Sequence, residues 1–150
     1  MKFSILSTLV LALGLILSAC GRAPAASASN ASPEPAAVGD QASLVAALEE
    51  GGATVETGEP ISQPFFSAEG HIIKVNGADV QVFEYESSEA MELDSSQIAP
   101  DGSSNATTMI TWIDTPHFYK AGKIIVLYIG SDATVLDLLK GALGPQFAGG

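Results

Sequence analysis

Cysteine is almost absent: Cys20 is the only one in 150 residues. Disulfides are therefore excluded, and no second thiol is left for a cysteine-based zinc site or a catalytic cysteine in the rest of the chain. Histidine is nearly as scarce, with only His71 and His117, and Met91 and Met109 are the only thioethers after Met1. A transition-metal site would need these distant residues to converge, and no short ligand spacing supports one. Basic residues number 6 against 17 acidic ones, a net charge of −11. That balance disfavours nucleic acid and anionic lipid surfaces as partners and favours solubility. The carboxylates are scattered rather than clustered, so they identify no cationic partner. No phosphate loop, dinucleotide fingerprint or metalloprotease motif occurs, and no cofactor is expected.

A long apolar run is also missing. Ile5 to Leu17 is apolar apart from Ser7, Thr8 and Gly14, about 13 residues against the roughly 18 that a membrane-crossing helix needs. With Lys2 before it and the small residues Ser18 and Ala19 after it, this start reads as an export signal. The stretch Leu17-Ser18-Ala19-Cys20 resembles the lipobox of bacterial lipoproteins: a leucine, two small residues and the obligate cysteine. The resemblance implies cleavage between Ala19 and Cys20, a diacylglycerol on the Cys20 sulfur and acylation, such as a palmitate, on the new amino group. One acyl chain holds a bilayer marginally, whereas two or more hold it stably, because each buried CH₂ contributes about 0.8 kcal/mol. Gly21 follows the cysteine, which resembles the pattern sent to the outer membrane in a cell with two membranes. In a cell with one, the protein would sit on the outer face of the plasma membrane.

Residues 21–39, GRAPAASASNASPEPAAVG, consist almost wholly of Ala, Ser, Pro, Gly and Asn. Such a composition offers no large apolar group whose burial would offset ordering entropy, so the segment reads as a flexible linker. The expected organisation is thus a signal over 1–19, lipidated Cys20 with its linker through residue 39, and one domain over 40–150.

Within that domain Asp40 reads as the N-cap of a short helix carrying Leu44, Val45 and Leu48, stopped at Gly51-Gly52. Ala53 to Thr57 reads as a brief strand broken by Gly58-Glu59-Pro60. His71 to Val75 and Ala78 to Tyr85 read as a hairpin, since Asn76-Gly77 tolerates the positive φ of a tight turn. A Ser-capped helix follows over Ser87 to Ala99, then a strand over Thr108 to Ile113. A second hairpin bends at Ala121-Gly122, and its run Ile124 to Ile129 is the most apolar in the domain and belongs in the centre of a sheet. Ser131 or Asp132 caps a last helix with Val135, Leu136, Leu139 and Leu143 on one face, ended by Gly144-Pro145. Gly149-Gly150 reads as a frayed end.

The expected class is α+β: an antiparallel sheet of five or six strands with about three helices packed mainly on one face. HIIKVNGADVQVFEYESSEA and HFYKAGKIIVLYIGSDAT echo one another, suggesting two ββα-like halves. In each, the His and Lys are three apart on a strand, hence on opposite faces, so the echo defines no site. The segments SQPFF, VNGADVQVFEY, TPHFYKAGKIIVLYIG and GPQFAG resemble those of a group of exported bacterial proteins, over most of residues 44–149. That resemblance implies one autonomous domain and brings no activity with it.

Candidate chemistry is sparse. Asp101 to Asn105 starts like a calcium loop, but Ala106 stands where its glycine belongs and Trp112 where its bidentate glutamate belongs. Asp114 and His117 sit across a turn like an acid–histidine pair, without a serine-bearing elbow to complete a nucleophilic arrangement. Phe65, Phe66, Trp112, Phe118 and Tyr119 flank loops containing Pro64 and Pro116, which is what a small hydrophobic cleft, or one end of a core, requires. The expectation is a non-catalytic accessory or binding module anchored in the cell envelope through lipid on Cys20, with an envelope protein as a possible partner. The alternative is a small-molecule or metal carrier whose candidate ligand-binding residues are Phe65, Phe66, Trp112, His117 and Tyr119.

Overall fold

The structure, a computed structural model, describes residues 37–106 and 108–150, all within one compact unit, Pro33–Gly150. The expected signal, Cys20 and the linker through residue 36 lie outside the described residues. Elements follow in the order α1 (Gln41–Glu50), β1 (Val55–Ile61), β2 (Gly70–Val75), β3 (Ala78–Glu84), α2 (Ser88–Ser95), β4 (Ser104–Asn105), β5 (Thr108–Met109), β6 (Pro116–Ala121), β7 (Ile124–Ile129), α3 (Ala133–Leu143) and β8 (Ala148–Gly149). Six strands form one antiparallel sheet in the order β1-β2-β3-β7-β6-β8, and β4 with β5 forms a small second sheet. The class is α+β, as the sequence patterning implies.

Local chemistry explains most boundaries. Asp40 caps α1 in a capping box, its carboxylate accepting from the Ser43 N–H while the Ser43 hydroxyl accepts from the Asp40 N–H. Ser87 caps α2, and Asp132 caps α3 by accepting from Thr134 N and Val135 N; each satisfies donors that a helix start leaves without intrahelical partners. The β2–β3 turn has Asn76 at φ +52° and Gly77 at φ +87°, the pair of positive φ values that matches hairpin twist.

Two of the three helices share a face, as the sequence patterning implies, and the third covers the other face. The α1 residues Leu44 and Leu48 and the α3 residues Val135 and Leu139 cover Val80, Val82, Ile124, Val126 and Tyr128. On the other face, α2 places Met91 against a cluster holding Phe83, Ile125, Leu127 and Phe118. The reason lies in β7: five of its six residues are buried, and a strand apolar at every position needs cover on both sides. The two hairpins of the internal echo are thus present, with β3 paired to β7, but their helices go to opposite faces.

Other boundaries differ as well. Strand β1 runs through Gly58-Glu59-Pro60 instead of ending there, because its register shifts between Thr57 and Pro60 and β1 is an edge, where a proline needs no partner for its missing N–H. The expected strand over 108–113 shrinks to Thr108–Met109. Met109 and Ile113 are 85% and 98% exposed, while Trp112 turns inward onto Phe118. Ala148–Gly149 pairs with β6 where a frayed end was expected. Val38, inside the segment expected as linker, is buried, and the Gly39 carbonyl accepts from Lys123 N at 2.9 Å.

Candidate functional site

The sheet separates the candidate residues into two groups. Phe65, Phe66 and Trp112 lie on the α2 face with Phe118; His117 and Tyr119 point to the α1/α3 face, paired across to Tyr128 and Val126. A single cleft using all five residues is therefore not formed. Strand alternation dictates this split, since Phe118 lies between His117 and Tyr119 and must face the other way.

The aromatic group interlocks as core. Phe65 meets Phe66 at 4.8 Å between ring centroids and Trp112 at 5.9 Å, and Trp112 meets Phe118 at 5.8 Å, all edge-to-face, the geometry that ring quadrupoles favour. The Trp112 indole N–H donates to the Gly102 carbonyl at 2.7 Å. Asn105 fixes the preceding loop by donating from its amide to the Phe65 carbonyl. This wall is pinned further by Asp94, which the sequence did not single out. Its Oδ2 accepts from Ser67 N at 2.7 Å, Ser67 Oγ at 2.8 Å and the Tyr85 hydroxyl at 3.0 Å. Burial, then the neighbouring carboxylate, pushes the Tyr85 phenol far above its ordinary value.

His117 and Tyr119 open onto something different: a pocket of about 290 Å³ lined also by Leu136, Asp137, Lys140, Pro145 and Gln146. Three elements build it. Strand β6 supplies His117 and Tyr119; α3, with Val135 and Leu139 committed to the core, turns Leu136, Asp137 and Lys140 toward the pocket; the turn after Gly144 supplies Pro145 and Gln146. Gln146 sets the imidazole. Its Nε2 donates to the Gly149 carbonyl at 2.7 Å, which leaves Oε1 to accept from His117 Nδ1–H at 2.7 Å. The neutral ring consequently carries its proton on Nδ1 and its lone pair on Nε2. The ring lies nearly parallel to that of Tyr128, with centroids 6.2 Å apart at 22°.

His117 is only 8% exposed, yet its Nε2 has no hydrogen-bond partner among the described residues, and neither has the Tyr119 hydroxyl. Among the described residues no fully buried side-chain nitrogen or oxygen lacks a partner, so both atoms reach solvent beside the pocket that their residues line. Burial holds the Tyr119 phenol above its ordinary value, keeping it a neutral donor. On the rim, Asp137 and Lys140 make no ion pair among the described residues.

No serine lines the pocket, and the partner of Nδ1 is an amide, which cannot stabilise an imidazolium as a carboxylate does. Asp114, the acid expected beside His117, is exposed and accepts from Thr115 N at 2.7 Å. Asp101 accepts from Ser103 N and Ser103 Oγ, a local turn. Among the described residues no group of three or more His, Cys, Asp or Glu side chains is placed to hold a metal ion, and no helix is long and apolar enough to cross a membrane.

A second, larger concavity of about 790 Å³ runs between α1 and α3, lined by small and apolar residues including Val38, Ala47, Gly51, Leu138 and Ala142. Asp137 borders both concavities. No family model, curated protein or solved structure matches the chain.

Proposed function

We propose that this protein is a lipid-anchored, non-catalytic binding module of the bacterial cell envelope, which captures a small polar molecule in the pocket of His117 and Tyr119. One structural observation carries the binding part: His117, Tyr119 and Lys140 line one concavity, and among the described residues His117 Nε2, the Tyr119 hydroxyl and the Lys140 ammonium have no protein partner, whereas every fully buried polar side-chain atom has one. Water reaches these atoms, and a concave site that sets solvated donors and acceptors beside apolar wall is where a small polar ligand replaces water. The anchoring part rests on Leu17-Ser18-Ala19-Cys20 after its apolar run. The domain's excess of carboxylates keeps it soluble and off anionic surfaces while the lipid holds it to the membrane.

The anchor is tested with the full chain expressed in a bacterial host fed labelled palmitate. The parent should take up label and enter the detergent phase; Cys20→Ala should do neither. A Cys20→Ala chain that remains labelled overturns the anchor.

A further inference from the structure

The pocket presents opposite charges that avoid each other. Asp137 and Lys140 are three residues apart on α3, a spacing that puts their Cβ atoms roughly 5–6 Å apart on one flank, and both line the cavity. Yet they do not pair. The other three described lysines all do: Lys74 with Asp79 at 2.6 Å, Lys120 with Glu92 at 2.5 Å and Lys123 with Glu84 at 2.8 Å. Lys140 is the described lysine that makes no ion pair, and it stands exposed beside the equally exposed and unpaired Asp137, so both groups are available to a bridging ligand.

We infer, resting on the pocket reading above, that this site takes a free zwitterionic α-amino acid with a compact apolar side chain. The ligand's carboxylate meets the Lys140 ammonium and the Tyr119 hydroxyl, both donors. Its ammonium meets the Asp137 carboxylate and the lone pair of His117 Nε2, both acceptors, the latter fixed by the hydrogen bond from Nδ1 to Gln146. Leu136 and Pro145 supply apolar wall for the side chain. A simple carboxylate would leave Asp137 opposing it, and a simple amine would leave Lys140 opposing it; a molecule carrying an ammonium and a carboxylate on one carbon satisfies both rim groups. Size agrees: about 290 Å³ is room for roughly ten groups at ≈ 30 Å³ each, the scale of leucine or methionine rather than a peptide.

The test is an NMR titration of the purified full chain in detergent with four probes of one shape: L-leucine, isopentylamine, 4-methylpentanoate and isopentanol. Leucine should shift resonances of Tyr119, Leu136 and Lys140, and the amine and the carboxylate should each bind about tenfold more weakly or worse, the loss of one charge-assisted contact. Lys140→Met should reduce leucine to the level of the amine, and Asp137→Asn should reduce it to the level of the carboxylate, whereas Lys74→Met should change nothing. If the single-charge probes or isopentanol bind at the same residues as well as leucine does, the pocket stands and the amino-acid assignment falls. If none of the four shifts those residues, both fall.

Discussion

The Tyr85 hydroxyl lies 3.0 Å from Asp94 Oδ2, tying the end of β3 to α2, and Ser67 donates to the same oxygen from its backbone and from its side chain. One carboxylate thus gathers the SQPFFS loop, the central sheet and the helix that covers its aromatic face.

Removing that carboxylate strands three donors, of which the Tyr85 hydroxyl is the buried one. Asp94→Ala should cost about 3 kcal/mol of unfolding free energy, and Tyr85→Phe about 1 kcal/mol, because an orphaned buried partner costs more than the net value of one hydrogen bond. Urea titration checks both. An Asp94→Ala chain within 0.5 kcal/mol of the parent, roughly the scatter of a surface substitution, would show that the oxygen holds nothing.

The same contact predicts alkaline behaviour. The folded-state phenol of Tyr85 titrates above its ordinary value of about 10, through burial first and Asp94 second. A group raised on folding contributes stability that is complete below its unfolded value and is lost as pH climbs above it. The urea midpoint of the parent should therefore fall on going from about pH 9 to 11, and that of Tyr85→Phe should fall less. Tyr119, raised by burial, leaves a residual slope in the variant. Equal slopes would contradict the assignment.

Two glycines should respond with opposite signs. Gly149 sits in β8 at φ +84°, and a Cβ there would collide with the Pro116 carbonyl, so Gly149→Ala should unseat β8, release Gln146 from His117 and cost on the order of 2 kcal/mol or more. Gly141, inside α3, has open space where a Cβ would stand, and Gly141→Ala should stabilise by up to about 1 kcal/mol. Thermal melts of the two variants distinguish them, and a neutral Gly149→Ala would remove β8 from the account of the pocket.

Legibility in the sequence followed the range of the signal. The Asn76-Gly77 turn, the three helix caps and the apolar run of β7 are local, and each appears where its residues place it. The second covered face was also written in β7, since an unbroken apolar strand leaves no side for water, but helix count alone did not assign α2 to it. Ala148–Gly149 carries no strand pattern in two residues and forms only because β6 offers it an edge. The site was half legible. His117 and Tyr119 were singled out, but strand parity parts them from Phe65, Phe66 and Trp112. Their true companions, Asp137, Lys140 and Gln146, come from segments that only tertiary folding brings near. Asp94 gave no signal at all, because its partners Ser67 and Tyr85 lie 27 and 9 residues away.

The irregular outer strand β1 has a colonial consequence. Proteins fixed to a surface meet one another often and side by side, and an open strand flank invites neighbours to stack into a ribbon. Here the flank has no N–H at Pro60, shifts register between Thr57 and Pro60, and bears the exposed acids Glu56 and Glu59, while the edge strand of the opposite flank, Ala148–Gly149, is only two residues long. If lipid on Cys20 holds copies on a common membrane, as proposed, they would repel at the places where they could otherwise join, and each would remain a separate domain.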